Sequence, residues 1–263
     1  MRNRKFLVGA ALVVTAMFAT AAVAQAAITQ RIATVSATPS KQNKKTPGAI
    51  SFHIDIKTDY AVGTPANQSA SHTDLDLPKD FVFTPPARTC NPTSLTGTTT
   101  DQAKAACPGA QVGFGTAQLC NPTAGCAATP GGGPIPATIT AFNGVRTGGN
   151  ASIILHTKPN GVAQANAPVI LTGTLVPSPL GGLYGKRLAV EIQDTASTGL
   201  DLVDFDTTIP KLKTKKAKNG KPAKFYIMSK CSKKKWAFAT NTTFRAGGGS
   251  SASSATLPCK QKK

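Results

Sequence analysis

The chain is poor in acidic residues. It carries 11 Asp and Glu against 30 Lys and Arg, a net charge of +19 at pH 7. Glu191 is its single glutamate. Glycoside hydrolysis needs two placed carboxylates. Glu191 and Asp194 lie close in sequence, but beside Leu188, Val190 and Ile192 the glutamate reads as the wet side of a strand. Histidine is scarce too: His53, His72 and His156 are the only three. No Gly-x-Ser-x-Gly elbow and no His-Glu-x-x-His motif occurs. No Cys-x-x-Cys occurs either, and the histidines lie far from the cysteines in sequence. That argues against a zinc site. One long apolar run exists, at the N-terminus, so the rest of the chain has no membrane-spanning segment.

That first run has the form of an export signal. Met1-Arg2-Asn3-Arg4-Lys5 is basic, Phe6 to Val23 is apolar, and Ala24-Gln25-Ala26 is an A-x-A cleavage site. Residues 1–26 are therefore read as a signal peptide, with an uncleaved N-terminal anchor as the competing reading. The protein is expected to be secreted or associated with the cell envelope, with no transmembrane segment left after cleavage. Export also bears on the six cysteines, Cys90, Cys107, Cys120, Cys126, Cys231 and Cys259. An even count in an exported chain reads as disulfides. Sequence neighbours are the expected pairs: Cys90–Cys107, Cys120–Cys126 and Cys231–Cys259.

Thr, Ala, Gly and Pro are abundant, a mix that favours strands and turns. The clearest strand is Ile50–Lys57, where apolar and polar residues alternate and His53 and Asp55 share the wet face. Weaker runs follow at Ala137–Phe142, Ser152–Thr157, Val169–Val176, Leu188–Ile192, Leu202–Ile209, Phe225–Met228 and Trp236–Thr240, separated by Gly, Pro and Asn turns. The pattern predicts an all-β fold: an antiparallel immunoglobulin-like or jelly-roll-like sandwich with a disulfide-stapled loop region. One short helix is expected at Asp101–Ala106, capped by Asp101 and ended by Pro108-Gly109. The expected organisation is 27–83 as N-terminal strands, 84–135 as a disulfide-rich excursion or small subdomain, and 136–263 as C-terminal strands with a lysine-rich hairpin. Cys-Asn-Pro-Thr occurs twice in the middle stretch, at 90–93 and 120–123, and reads as a tight turn beside a disulfide.

Leu77-Pro78-Lys79-Asp80-Phe81, then Cys90, then Cys107-Pro108-Gly109-Ala110-Gln111-Val112-Gly113 make up a pattern, completed by Cys231, Trp236, Phe244 and Pro258-Cys259. It resembles uncharacterised secreted proteins of actinobacterial genomes, which carry LPxGF-like and CPxxSxVG-like segments. The chain departs from that pattern at Asp80 and Gln111. The resemblance implies a secreted β-rich protein and brings no catalytic residues with it.

The sharpest feature is a lysine belt. Eleven lysines lie between Lys211 and Lys235, and Lys260, Lys262 and Lys263 follow. The candidate polyanion-binding residues are Lys211, Lys213, Lys215, Lys216, Lys218, Lys221, Lys233, Lys234 and Lys235. A Cys231–Cys259 bond would set the basic tail beside the belt, making one field that attracts a polyanion. Nucleic acid is rejected as the native partner. Export removes the protein from the genome, and the belt has few aromatics for stacking and few arginines for base edges. Anionic cell-wall or surface polymers remain. The plain alternative is a solvated β-hairpin with Asn219-Gly220 at its tip. Asp74–Asp76 and Asp201–Asp206 are acidic enough to suggest calcium, but no ligand loop with the right spacing surrounds them. No metal and no cofactor is assigned. The expected function is a non-enzymatic secreted or envelope β protein. The alternative is a secreted hydrolase whose site assembles from separated strands around a histidine.

Overall fold

The structure, a computed structural model, describes residues 28–61, 64, 68–120, 134–160, 167–193, 201–215 and 223–262. The expected signal peptide lies outside the described residues. The strands run in chain order as β1 Thr29–Thr38, β2 Lys41–Gln42, β3 Gly48–Ala49, β4 Ser51–Asp59, β5 Ala70–Pro78 and β6 Phe81–Phe83. Next come β7 Gln111–Cys120, β8 Ile135–Thr147, β9 Asn150–Pro159, β10 Val169–Pro177, β11 Tyr184–Glu191 and β12 Asp201–Ile209. The last six are β13 Lys213–Lys215, β14 Lys224–Phe225, β15 Ile227–Ser229, β16 Lys235–Phe244, β17 Ser250–Pro258 and β18 Lys260–Gln261. Helix α1 is Thr100–Ala106.

Eleven strands form one antiparallel sheet in the order β1-β4-β12-β7-β8-β9-β10-β11-β5-β16-β17. The fold is all-β, as expected, and its two layers belong to this single sheet, rolled into a near-barrel. Alternation drives the rolling. On β4, Phe52, Ile54 and Ile56 are buried while His53, Asp55 and Lys57 lie on the other face. Phe52 stacks on Phe238 of β16 at 5.5 Å, so distant parts of the sheet meet across the core. Phe81 sets its edge against Phe52, Trp236 and Phe238. Each such side chain contributes about 1.5–3 kcal/mol through burial.

The edges β1 and β17 meet without a backbone ladder. The Gln30 N–H donates to Ser251 Oγ at 2.8 Å and the Ile32 N–H to Ser253 Oγ at 3.2 Å. Serine side chains thus satisfy donors that an open edge would leave bare.

The stapled region is narrower than 84–135. β7 falls inside that stretch, yet it is a central strand between β12 and β8. Its glycines hid it from the pattern. Gly115 is needed because a Cβ there would overlap the Asp206 carbonyl of β12. The segment before β7 covers the outer face of β8 and β9. Cys90, Leu95, Ala103, Cys107 and Ala110 bury Phe142 and Ile154, which point away from the main core. Cys90 bonds Cys107 across this cover. Asn91 caps a 3-10 turn at Pro92–Leu95, the tight turn expected at the first Cys-Asn-Pro-Thr. The second copy lies beyond Cys120, outside the described residues. The cap of α1 is Thr99, not Asp101. Thr99 Oγ1 accepts from the Gln102 N–H while the Gln102 side chain accepts from the Thr99 N–H, a reciprocal capping box.

Candidate functional site

The rolled sheet has two unlike poles. At one, β1 ends, β5 ends, β12 ends and β16 begins. Here β13 pairs antiparallel with β14, carrying Lys211, Lys213, Lys215 and Lys224 at or beside the hairpin. Lys211 Nζ sits 5.6 Å from the centroid of the Phe225 ring. Lys216, Lys218 and Lys221 lie outside the described residues, as does the Asn219-Gly220 tip. The Cys231–Cys259 bond brings β18 to the same pole, where Lys260 pairs in parallel with Lys41 of β2. The Lys41–Lys45 run therefore joins the basic pole, which the sequence reading missed. Lys79, at the β5–β6 turn, belongs there as well.

Lys233, Lys234 and Lys235 are exposed on a short loop that is heavily tied down. The Lys230 N–H donates to Asp80 O at 3.2 Å, and Trp236 Nε1–H donates to Lys230 O at 2.8 Å. The Cys231 N–H donates to Asn43 O at 2.9 Å, and Gln261 Nε2–H donates to Cys231 O at 2.9 Å. Ser232 donates twice to the buried Asp80 carboxylate, from N–H at 2.7 Å and from Oγ at 2.8 Å. The Cys259 N–H donates to Lys234 O at 3.0 Å. Lys234 itself sits at φ 59, a left-handed backbone that costs a residue with a Cβ about 1–2 kcal/mol. Such strain persists only where surrounding contacts over-determine it. Beside the loop lies an open cleft of about 210 Å³, lined by Lys79, Asp80, Gly182, Leu183, Lys230, Ser232, Lys233 and Lys235 with Pro78.

The histidines stand elsewhere. His53 Nε2 lies 2.9 Å from Asp206 Oδ1 on the outer face of β4 and β12. Lys57 Nζ beside it lies 3.2 Å from Asp204 Oδ2. Burial raises the Asp55 carboxyl, and the neighbouring Asp204 raises it further. His72 is bracketed: Nδ1 lies 2.8 Å from Glu191 Oε1 and Nε2 lies 2.9 Å from Asp74 Oδ1. Partial burial alone would lower this imidazole, but the hydrogen bonds and charges of Asp74 and Glu191 outweigh it and leave it raised. Arg187 extends the ladder, reaching Asp74 and Asp76 at 2.8 Å each. With both ring nitrogens facing carboxylates, the surroundings of His72 favour its protonated form. His156 is fully buried under the stapled segment. Its Nε2 meets Thr98 Oγ1 at 3.1 Å and Thr98 O at 3.2 Å, and burial lowers its pKa. None of the three lines a described cavity. Among the described residues no group of three His, Cys, Asp or Glu is arranged to hold a metal ion.

The opposite pole holds an apolar cavity of about 80 Å³, walled by Leu155, Leu171, Leu188, Val190 and Phe205. Thr58, Gln30, Thr242 and Thr73 make a hydrogen-bonded chain at its side.

Cys120 is also disulfide-bonded, while its expected partner Cys126 lies outside the described residues. No helix among the described residues is long and apolar enough to cross a membrane. No family model, curated protein or solved structure matches this chain.

Proposed function

We propose that this protein is exported and acts in the cell envelope or outside it as a non-enzymatic β scaffold that binds anionic surface polymer at its lysine pole. The observation that carries the reading is spatial. Lysines far apart in sequence, Lys41, Lys79, Lys211, Lys233 and Lys260, collect at one end of the rolled sheet. Disulfides suit an oxidising compartment, and the signal-like N-terminus supplies the route. A field of this sign raises the local concentration of a polyanion and speeds its capture.

Two measurements test the reading. Soluble long-chain polyphosphate serves as the polymer probe. Affinity should fall steeply as salt rises from about 50 to about 200 mM, in proportion to the charges neutralised. Lys211→Gln with Lys213→Gln should flatten that slope. No binding at low salt, or a slope untouched by charge removal, overturns the polymer reading. Fractionation of producing cells with mass spectrometry tests export. A chain beginning at Ala27 outside the cytoplasm supports it, and an intact, reduced chain in the cytosol overturns it.

A further inference from the structure

The cleft beside the 230–235 loop is more specific than a charged surface. We infer that it is a preformed receptor for a single phosphate group carried on the polymer, an inference that rests on the polymer reading and deepens it. The cleft gathers Lys79, Lys230, Lys233 and Lys235 around one carboxylate, Asp80. Both Asp80 oxygens already accept from Ser232, so this carboxylate is positioned to hold the loop. The lining carries four lysines against one carboxylate, a formal excess of three positive charges around a space of about 210 Å³. That volume is below the roughly 300 Å³ at which drug-sized pockets begin, and it suits one charged group.

The loop is ordered before any ligand arrives. The Cys231–Cys259 bond, the Trp236 indole, Asp80, Asn43 and Gln261 each fix a different point of it. Lys234 takes the left-handed conformation between Lys233 and Lys235, the two neighbours that line the cleft, and stays out of the lining itself. A surface that only kept the protein solvated would need neither the strained turn nor the clamp. A pre-ordered site loses less side-chain and loop entropy on binding. Lysine ammonium groups bind a phosphate as separate point charges, each meeting one of its oxygens, where arginine's planar fork would grip carboxylate and phosphate alike.

The test titrates inorganic phosphate into the oxidised protein and follows backbone amide shifts. Saturable shifts are expected at Lys79, Leu183 and Ser232–Lys235, with the β13–β14 hairpin unmoved. Lys233→Gln with Lys235→Gln changes exposed side chains and should weaken phosphate at least ten-fold without moving the urea midpoint. Lys44→Gln with Lys45→Gln, outside the cleft lining, should leave phosphate affinity unchanged. Shifts that spread over all the lysines and never saturate overturn the cleft while leaving polymer binding standing. Polyglutamate competing as well as polyphosphate overturns the choice of phosphate. Failure of polyphosphate itself to bind at low salt overturns the polymer reading beneath both.

Discussion

Replacing Cys231 and Cys259 with alanine removes the bond that closes the basic pole, and its cost follows from chain length. The two residues are 28 apart in sequence. Opening a loop of that length returns about 12 cal/mol/K to the unfolded chain, or about 3.5 kcal/mol at 25 °C. A domain's whole stability is only about 5–15 kcal/mol, so the loss is a large share of it. With a urea slope of about 3 kcal/mol/M, the unfolding midpoint should drop by about 1.2 M. The single tryptophan, Trp236, is fully buried next to the bond and donates to Lys230 O, so its fluorescence reports the transition directly. Cys90→Ala with Cys107→Ala is the control. Its 17-residue separation gives a similar loss of about 3 kcal/mol. Only the first variant should also weaken phosphate, because only it frees the 230–235 loop. A midpoint shift under about 0.3 M, near 1 kcal/mol, would refute the loop-entropy reasoning. Equal loss of phosphate affinity in both variants would refute the local link between bond and loop.

Three further outcomes are expected. His72 and His156 should give opposite pH responses. The raised His72 contributes stability that is full below its unfolded pKa of about 6.5 and is lost as pH rises through the higher folded value, so His72→Gln should flatten the alkaline side of a melting profile. The lowered His156 leaves stability intact above about 6.5 and removes it as pH falls toward the folded value, so His156→Gln should flatten the acidic side. Asp55→Asn should raise the melting temperature at pH 7, because a raised carboxyl loses stability as pH rises through its folded pKa and the amide carries no charge to bury; an unchanged or lower value sinks that account. Ser251→Ala with Ser253→Ala should cost about 1 kcal/mol for each donor left unpaired and should speed amide exchange at Gln30 and Ile32; unchanged exchange there would mean that the hydroxyls do not hold the seam.

Where side chains alternate sharply, the fold was legible. Phe52, Ile54 and Ile56 against His53, Asp55 and Lys57 located β4 within two residues at its end. β17 was missed for the opposite reason. Ser250–Pro258 alternates in exposure, but its inward positions include serines that bond to β1 in place of apolar groups. β5 was missed because its outward Asp74 and Asp76 read as an acidic cluster, although Thr73, Leu75 and Leu77 alternate with them toward the core. The lysine belt was legible as composition. Its spatial partners were not, since Lys41 and Lys79 reach the pole only through the β2–β18 pairing and the β5–β6 turn. The Asp80 clamp carries no sequence signal either, because Ser232 lies 152 positions away.

The course of β1 gives the molecule an orientation. It starts at Thr29 beside the apolar cavity and ends at Thr38 next to the lysines, nine residues further on. At about 3.3 Å per residue the strand spans about 30 Å, and with the tilt of a rolled sheet its ends stand about 21–24 Å apart along the axis. An attachment made ahead of Thr29, by an uncleaved leader or by an engineered tag, therefore grips the molecule at the far end from its charge. The lysine pole then faces outward, clear of the support, with about a protein radius of standoff. A surface-immobilised binding assay should be built from the N-terminal side, since anchoring through the tail beyond β18 presses the basic face against the support.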